Sequence, residues 1–269
     1  MPTLNPRGLD RFCEALEAAS GLSYSAEKTY LFDARLKAII DRHGLSDYDA
    51  LATLFARDPQ ARQAIIAALV TSETFFFRDE ETFKALPAIA ARFPASKAEP
   101  LVIWSLGCAT GQEAYSILMA IDEAGRPPLS AVRLLGADIS AAVLDRARAG
   151  FYSPFELQRG LSPARQARYM RPVPGGFEVV PALRAVPEWV TLNMLDGFDR
   201  LPRPHLIFCR NLMIYFSDPT KQRLMAAMLA RLPEEGLVVL GSSESSMPYA
   251  GLIEPAPGLQ GSIYRRRKP

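Results

Sequence analysis

The residues best suited to chemistry follow an apolar run, where Leu206-Ile207-Phe208 leads directly into Cys209-Arg210-Asn211-Leu212-Met213-Ile214-Tyr215-Phe216. A guanidinium, an amide and a phenol just past a buried strand belong at the carboxyl edge of an open α/β sheet. Ligand crevices form there, so Arg210, Asn211 and Tyr215 are candidates to meet a cofactor or substrate. An ordinary strand and loop would give the same local pattern, but the stretch has company. Gly107-Cys108-Ala109-Thr110-Gly111 joins another apolar run, Leu101-Val102-Ile103-Trp104, to a helix that opens at Gln112. Glycines so placed, Gly107 first among them, allow a tight turn and a close approach of backbone to ligand. The loop is not G-x-G-x-x-G, which fits a dinucleotide pyrophosphate weakly, and it lacks G-K-[ST], which excludes a P-loop.

Asp138 closes the next apolar run, Val132-Arg133-Leu134-Leu135-Gly136, where a carboxylate can accept both hydroxyls of a ribose. Glu113 lies in the first turn of the helix after the glycine loop. An adenosine-type cofactor without phosphates fits this pair, and S-adenosylmethionine is the candidate, because its ammonium and sulfonium call for carboxylates rather than phosphate-binding amides. Each residue also has a plain structural reading: Glu113 as a helix-dipole carboxylate, Asp138 as a strand-end cap.

The elements that must position these groups can be read from periodicity. From Leu9 to Val70 apolar residues recur at helical spacing in four groups, with Ser46-Asp47 and Asp58-Pro59 as start signals, which predicts a small helical domain over 1–75. Residues 76–98, with Pro87 and Pro94, read as a linker. Residues 99–269 alternate buried strands with helices, at 112–124, 141–148 and 218–232, the last announced by Asp218-Pro219. This predicts an α/β domain with a parallel sheet covered on both faces. The rhythm breaks at about 151–187, where a short helix near 162–169 and strands at 177–180 and 183–186 suggest a small antiparallel β-subdomain. A purely structural role would suffice for it. The closing Arg265-Arg266-Arg267-Lys268 reads as a solvated tail.

Composition removes several function classes. The chain has 269 residues, 49% hydrophobic and 22% charged, with a net charge of +2. No apolar run is long enough to span a bilayer, the amino terminus lacks the order of a secretory signal, and three scattered cysteines fit a reducing cytoplasm. Only two histidines are present, without close Cys/His pairs, so neither a metal site nor a Ser-His-Asp triad is expected. The nearly neutral balance does not announce a nucleic-acid partner.

Four segments together resemble the CheR family of chemotaxis receptor methyltransferases: Thr74-Phe75-Phe76-Phe77-Arg78-Asp79, the stretch from Gly107 to Ser116, Ala137-Asp138-Ile139, and Cys209 to Phe216. The likeness extends to Gly241-Ser242-Ser243-Glu244-Ser245. It implies a helical domain followed by a class I, Rossmann-like S-adenosylmethionine-dependent methyltransferase domain that carries an inserted β-subdomain. It further implies that Ser72, Thr74 and Arg78 reach the cofactor from the stretch where the helical domain passes into the linker and that Glu113 holds its polar tail. Asp138 would hold the ribose, Asn193 and Met194 would surround the adenine, and Arg210 and Asn211 would meet the methionine end. Arg78 and Tyr215 would stand at the reacting centre as catalytic residues. The chain departs from the family's usual pattern at Ser72 (Asn), Ala109 (Ser), Gln112 (Glu) and Ala114 (Pro); the hydroxyl of Ser72 reaches less far than an amide.

The implied reaction is bacterial chemosensory adaptation: glutamate side chains on the cytoplasmic helical region of chemoreceptors become γ-methyl esters, leaving S-adenosylhomocysteine. A glutamate with a pKa near about 4.3 is already ionised at neutral pH and needs no general base, in keeping with the scarcity of histidine. Lys28, Arg35, Lys37 and Arg42, on a helix expected around 26–42, could present a basic docking face, although interleaved acids suit an ordinary solvated face equally. The short turn Val173-Pro174-Gly175-Gly176 argues against tethering through a receptor's terminal pentapeptide. The competing readings are a class I methyltransferase for a small molecule or nucleic acid, and a cofactor-binding module without activity.

Overall fold

The computed structural model describes residues 6–24 and 29–268. Four helices come first: α1 (Pro6–Ser20), α2 (Thr29–His43), α3 (Tyr48–Arg57) and α4 (Pro59–Leu69). The expected start signals operate. The Asp47 side chain accepts the Ala50 N–H, and Asp58 accepts from Gln60 and Ala61 with Pro59 in the first turn. Phe12 sits at the centre, edge-on to both Phe32 and Phe55.

The segment read as a linker contains a helix, α5 (Glu80–Ala90), with Pro87 inside it. Its buried face, Phe83, Leu86 and Ile89, joins the core beneath the sheet rather than bridging open space. The second part then runs β1 (Leu101–Leu106), α6 (Gln112–Ala124), β2 (Val132–Asp138) and α7 (Ala141–Ala149). The insertion follows, with β3 (Phe151–Tyr152), α8 (Pro154–Gln158), α9 (Pro163–Tyr169), β4 (Met170–Val173), β5 (Gly176–Val179) and α10 (Pro181–Arg184). The main sheet resumes with β6 (Pro187–Thr191), β7 (Leu206–Cys209), α11 (Asp218–Arg231), β8 (Leu237–Val239), β9 (Ile253–Pro255) and β10 (Ile263–Arg266).

The main sheet has the order β6-β2-β1-β7-β8-β10-β9. The chain winds outward from β1 to β2 and β6, then returns to β7 on the other side, so the crevice opens above β1 and β7. The sheet is not purely parallel, because β10 runs against β8 and β9. Alternate residues of β1 serve opposite faces. Val102, Trp104 and Leu106 join a core shared with the helical domain, while Leu101 and Ile103 join the core under α5 and α6.

Three local expectations fail for identifiable reasons. Residues 183–186 are not a strand: Pro181 starts the helical turn α10, and β5 pairs instead with β3 and with β4, the latter joined to it through Pro174-Gly175. The α11 N-cap is Ser217, with Asp218 already helical. The closing basic run is no free tail, since Arg265 pairs with Glu254, Arg266 donates to the Leu229 and Leu232 carbonyls, and Arg267 donates to the Ala250 carbonyl.

Candidate active site

Above the sheet's carboxyl edge lies a cavity of about 270 Å3. Strand ends supply its floor. Gly107 and Ala109 follow β1, Asp138 ends β2, Asn193 and Met194 follow β6, and Arg210, Asn211 and Tyr215 follow β7; Glu113 reaches in from α6. One wall is the irregular segment that carries Ser72, Thr74 and Arg78. Every residue expected at the cofactor or the reacting centre therefore lines one space.

The electrostatics centre on Arg210, whose side chain is only 1% exposed. It donates to Glu113 Oε2 at 3.1 Å, to Asp79 Oδ2 at 2.7 Å and to the Arg78 carbonyl at 2.6 Å. Burial raises the Asp79 carboxyl, but hydrogen bonds from Ser242 together with Arg210 outweigh it and hold the group below its ordinary value. Around the cavity the carboxylates Glu73, Glu113 and Asp138 outnumber the guanidiniums of Arg78 and Arg210, which leaves the lining net negative. Glu113 also accepts the Ser105 hydroxyl at 2.7 Å.

Asp138 is differently placed. Its oxygens accept the Ala109 N–H and the Ser140 N–H, each at 3.0 Å, yet burial still raises its pKa. An ionised carboxylate offers about four acceptor positions, more than the backbone N–H groups of Ala109, Ser140 and Ile139 fill. Gly107 has a packing reason beyond ligand approach, since at φ 67° a Cβ there would come within 2.9 Å of Leu212.

Among the described residues, the non-glycine residues with positive φ are Phe77, Asp79, Ala109 and Asn211. Phe77 and Asp79 bracket Arg78, and the other two line the cavity. Left-handed backbone costs about 1–3 kcal/mol per residue and survives only where surroundings over-determine it. The Asn211 N–H is held by Glu244, which also accepts the Gly241 and Met213 N–H groups. Burial raises the Glu244 carboxyl, while those amide bonds pull the other way.

The helical domain contributes to this cavity, which the sequence did not suggest. Ser20 and Leu22 line it, Ser23 N–H donates to the Tyr215 carbonyl at 2.8 Å, and the Asn193 amide donates to the Ala19 carbonyl at 2.7 Å. No local signal could reveal contacts between residues so far apart in sequence. Asp79 and Glu244 were also missed as participants, although both lie inside motifs already singled out.

The expected docking residues are not gathered here. Lys28 lies outside the described residues. Arg35 turns toward the end of α4, donating to the Leu69 carbonyl at 2.6 Å and to the Thr71 hydroxyl at 3.3 Å. Lys37 pairs with Asp41 at 3.0 Å, and Arg42 is exposed. Neither histidine lines the cavity; His205 Nδ1 accepts the Val102 N–H at 3.0 Å, and burial lowers its pKa.

Two family models match the chain: the CheR methyltransferase all-alpha domain over residues 7–70 and the CheR methyltransferase SAM binding domain over residues 72–251. The chain belongs to the CheR methyltransferase family. It is similar to Chemotaxis protein methyltransferase 1 of Pseudomonas aeruginosa, with 33% identity over 263 residues, covering 94% of this chain and 95% of that protein. Chemotaxis protein methyltransferase Cher2 of Pseudomonas putida is 32% identical over 265 residues, 93% of this chain and 95% of its own. A probable biofilm formation methyltransferase, WspC of Pseudomonas aeruginosa, is 31% identical over 262 residues, 96% of this chain and 61% of its own.

The fold is that of a class I methyltransferase domain behind an all-α domain, and its cofactor is S-adenosylmethionine. The donor set of this cavity suits that cofactor. The lining is net negative, the Asp138 carboxylate has spare acceptor capacity, and the buried Arg210 Nε has no partner within the protein. No helix among the described residues is long and apolar enough to cross a membrane.

Proposed function

We propose that this chain is a cytoplasmic protein-glutamate O-methyltransferase acting on the helical cytoplasmic region of chemoreceptors, the methyl-accepting chemotaxis proteins. The observation that carries the reading is the convergence of Arg78 and Tyr215 on the cavity that Glu113 and Asp138 also line. When bound, S-adenosylmethionine supplies a sulfonium methyl group that a nucleophile can take.

The protein's own residues divide the remaining work. Glu113 would balance the cofactor's ammonium and Asp138 would accept its ribose hydroxyls. Asn193 and Met194 would flank the adenine, while Gly107, Asn211 and Arg210 shape the floor and Ser72 and Thr74 close the side. Arg78 would draw in the acceptor carboxylate, its backbone carbonyl fixed by Arg210 and its guanidinium 5.6 Å from the Phe75 ring. The Tyr215 phenol would hold that carboxylate in line. An acceptor already ionised needs no proton removed, so the rate comes from placement, worth on the order of 7–11 kcal/mol in ideal cases. A methyl ester is neutral, and Arg78 then loses its ionic partner, which favours release of the product.

The acceptor helices would meet the protein along α2, where Lys37 and Arg42 are exposed while Arg35 holds the fold together. The two-residue connection between β4 and β5 leaves little loop to grip a terminal peptide, so docking would not depend on one. Incubation with methyl-labelled cofactor and receptor cytoplasmic fragments tests the reading. Label on receptor glutamates that mild alkali releases as methanol is the expected result; alkali-stable label, label on nucleic acid or small molecules only, or no transfer at all overturns it.

A further inference from the structure

The turn that follows β8, Gly241 to Glu244, contributes no residue to the cavity lining, yet it touches both segments that carry the reacting-centre residues. On one side, Glu244 Oε2 accepts the Asn211 N–H at 2.7 Å and Oε1 accepts the Met213 N–H at 3.0 Å. The Asn211 amide also reaches the Ser243 hydroxyl at 3.3 Å. On the other side, the Ser242 N–H donates to Asp79 Oδ2 at 3.3 Å, the same oxygen that holds Arg210 at 2.7 Å. Asn211 and Asp79 are themselves left-handed, at φ 55° and 58°, conformations that need such support.

We propose that Glu244 is a positioning residue for methyl transfer, clamping the loop after β7 so that Tyr215 faces Arg78 across the cavity. The clamp requires a carboxylate. Its two oxygens accept three backbone N–H groups, counting Gly241 at 2.7 Å, and a glutamine would turn a donor NH2 toward at least one of them. Gly241 belongs to the same device, because a Cβ there would come within 2.6 Å of Asn211 Nδ2 and 2.9 Å of Glu244 Oε2. Its need for glycine is a matter of space beside the clamp. The inference rests on the assignment of Arg78 and Tyr215 to the reacting centre, and it adds how they are held.

The test combines a double-mutant cycle with amide hydrogen exchange on the full chain. Glu244→Gln is expected to lower turnover about tenfold or more in the wild-type background but less than about threefold in a Tyr215→Phe background, because the residue acts through that loop. Exchange at the Asn211 and Met213 amides should accelerate by about tenfold or more, with protection in α6 unchanged. Gly241→Ala, which leaves the carboxylate in place, should reproduce the pattern if Glu244→Gln does not fold. Fully additive losses in the cycle, or unchanged exchange at Asn211 and Met213, overturn the proposal. So does a wild-type protein whose Asn211 and Met213 amides exchange as fast as a free loop. Exchange needs no acceptor, so a protein that shows the protected amides but transfers no methyl to receptors overturns the function and leaves the clamp standing.

Discussion

The Arg210 guanidinium at the cavity wall and the Lys37 ammonium on α2 each lie at ordinary ion-pair distance from a carboxylate, 2.7 Å to Asp79 and 3.0 Å to Asp41. Distance does not separate them; burial does. The Arg210 side chain is 1% exposed and that of Lys37 74%, so the first pair is little screened by water and the second is bathed in it. Arg210 also holds Glu113 and the Arg78 carbonyl, whereas Lys37 and Asp41 are simply neighbours one turn apart. A buried pair is costly to assemble and costlier to break, which suits it to holding a cofactor pocket in one geometry. The surface pair is cheap to lose and suits a face that meets changing partners.

Removing the buried cation should have the largest effect. Arg210→Met keeps much of the volume but leaves Asp79 and Glu113 without their partner, and breaking a buried pair in this way costs about 3–5 kcal/mol. Chemical denaturation should register that loss, and calorimetry should find S-adenosylhomocysteine binding abolished. A variant as stable as the parent would erase the contrast with Lys37. Next come Arg78→Ala and Tyr215→Phe, which remove the two cavity-lining groups proposed for the reacting centre. Each should lower methyl transfer by about 10²–10³, the scale seen when one preorganised donor is deleted, while S-adenosylhomocysteine affinity changes by only a few fold. Unchanged turnover in both would remove these residues from the reaction.

Asp138 sharpens the comparison through pH. Burial raises its folded-state pKa above the unfolded value, so its contribution to stability is greatest below the unfolded pKa and is lost as pH rises through the folded one. The proposed ribose contact has the opposite demand, because hydroxyl donors need the ionised acceptor. S-adenosylhomocysteine affinity should therefore fall on the acid side at a higher pH than an unperturbed aspartate would give. Asp138→Asn should weaken binding about tenfold to a hundredfold, as one lost charge-assisted hydrogen bond of about 1.5–3 kcal/mol would, and flatten that acid limb. A limb that persists in the variant assigns it to another carboxylate.

How much of this was legible beforehand follows from the range of the forces involved. The caps at Asp47 and Asp58, the turn at Gly107 and the carboxylates Glu113 and Asp138 are local consequences of residue type, and they could be read in order along the chain. The helix α5 was hidden by Pro87, which ordinarily interrupts the hydrogen-bond ladder but is tolerated here because Phe83, Leu86 and Ile89 bury one face. The stretch Leu183-Arg184-Ala185-Val186 suggested a strand, but Pro181 starts a helical turn there. Strands β9 and β10 were missed because each is short and prolines and glycines interrupt the chain between them. Arg35 looked like surface charge, and only the folded chain brings the Leu69 carbonyl beneath it. That contact went unseen for the same reason as the role of Ser20 and Leu22 at the cavity, since each depends on contacts between distant segments.

The smallest expected effect lies at the other end of the comparison. An exposed i,i+4 pair such as Lys37–Asp41 contributes about 0.3–0.5 kcal/mol, and salt screens it further. Lys37→Ala should therefore leave stability and S-adenosylhomocysteine affinity almost unchanged. If α2 faces acidic receptor helices, the same substitution, alone or with Arg42→Ala, should raise KM for receptor fragments by a few fold at low ionic strength and leave kcat alone. The difference from wild type should shrink toward high salt, because long-range attraction acts mainly on encounter. Arg35→Ala provides the internal contrast. Its contacts with the end of α4 and with Thr71 support the segment that lines the cavity, so its loss should weaken S-adenosylhomocysteine binding even without receptor. A salt-independent KM for the Lys37 and Arg42 variants would separate α2 from docking altogether and would direct the search for the receptor face elsewhere on the surface around the cavity mouth, where Ile214 is exposed beside Tyr215.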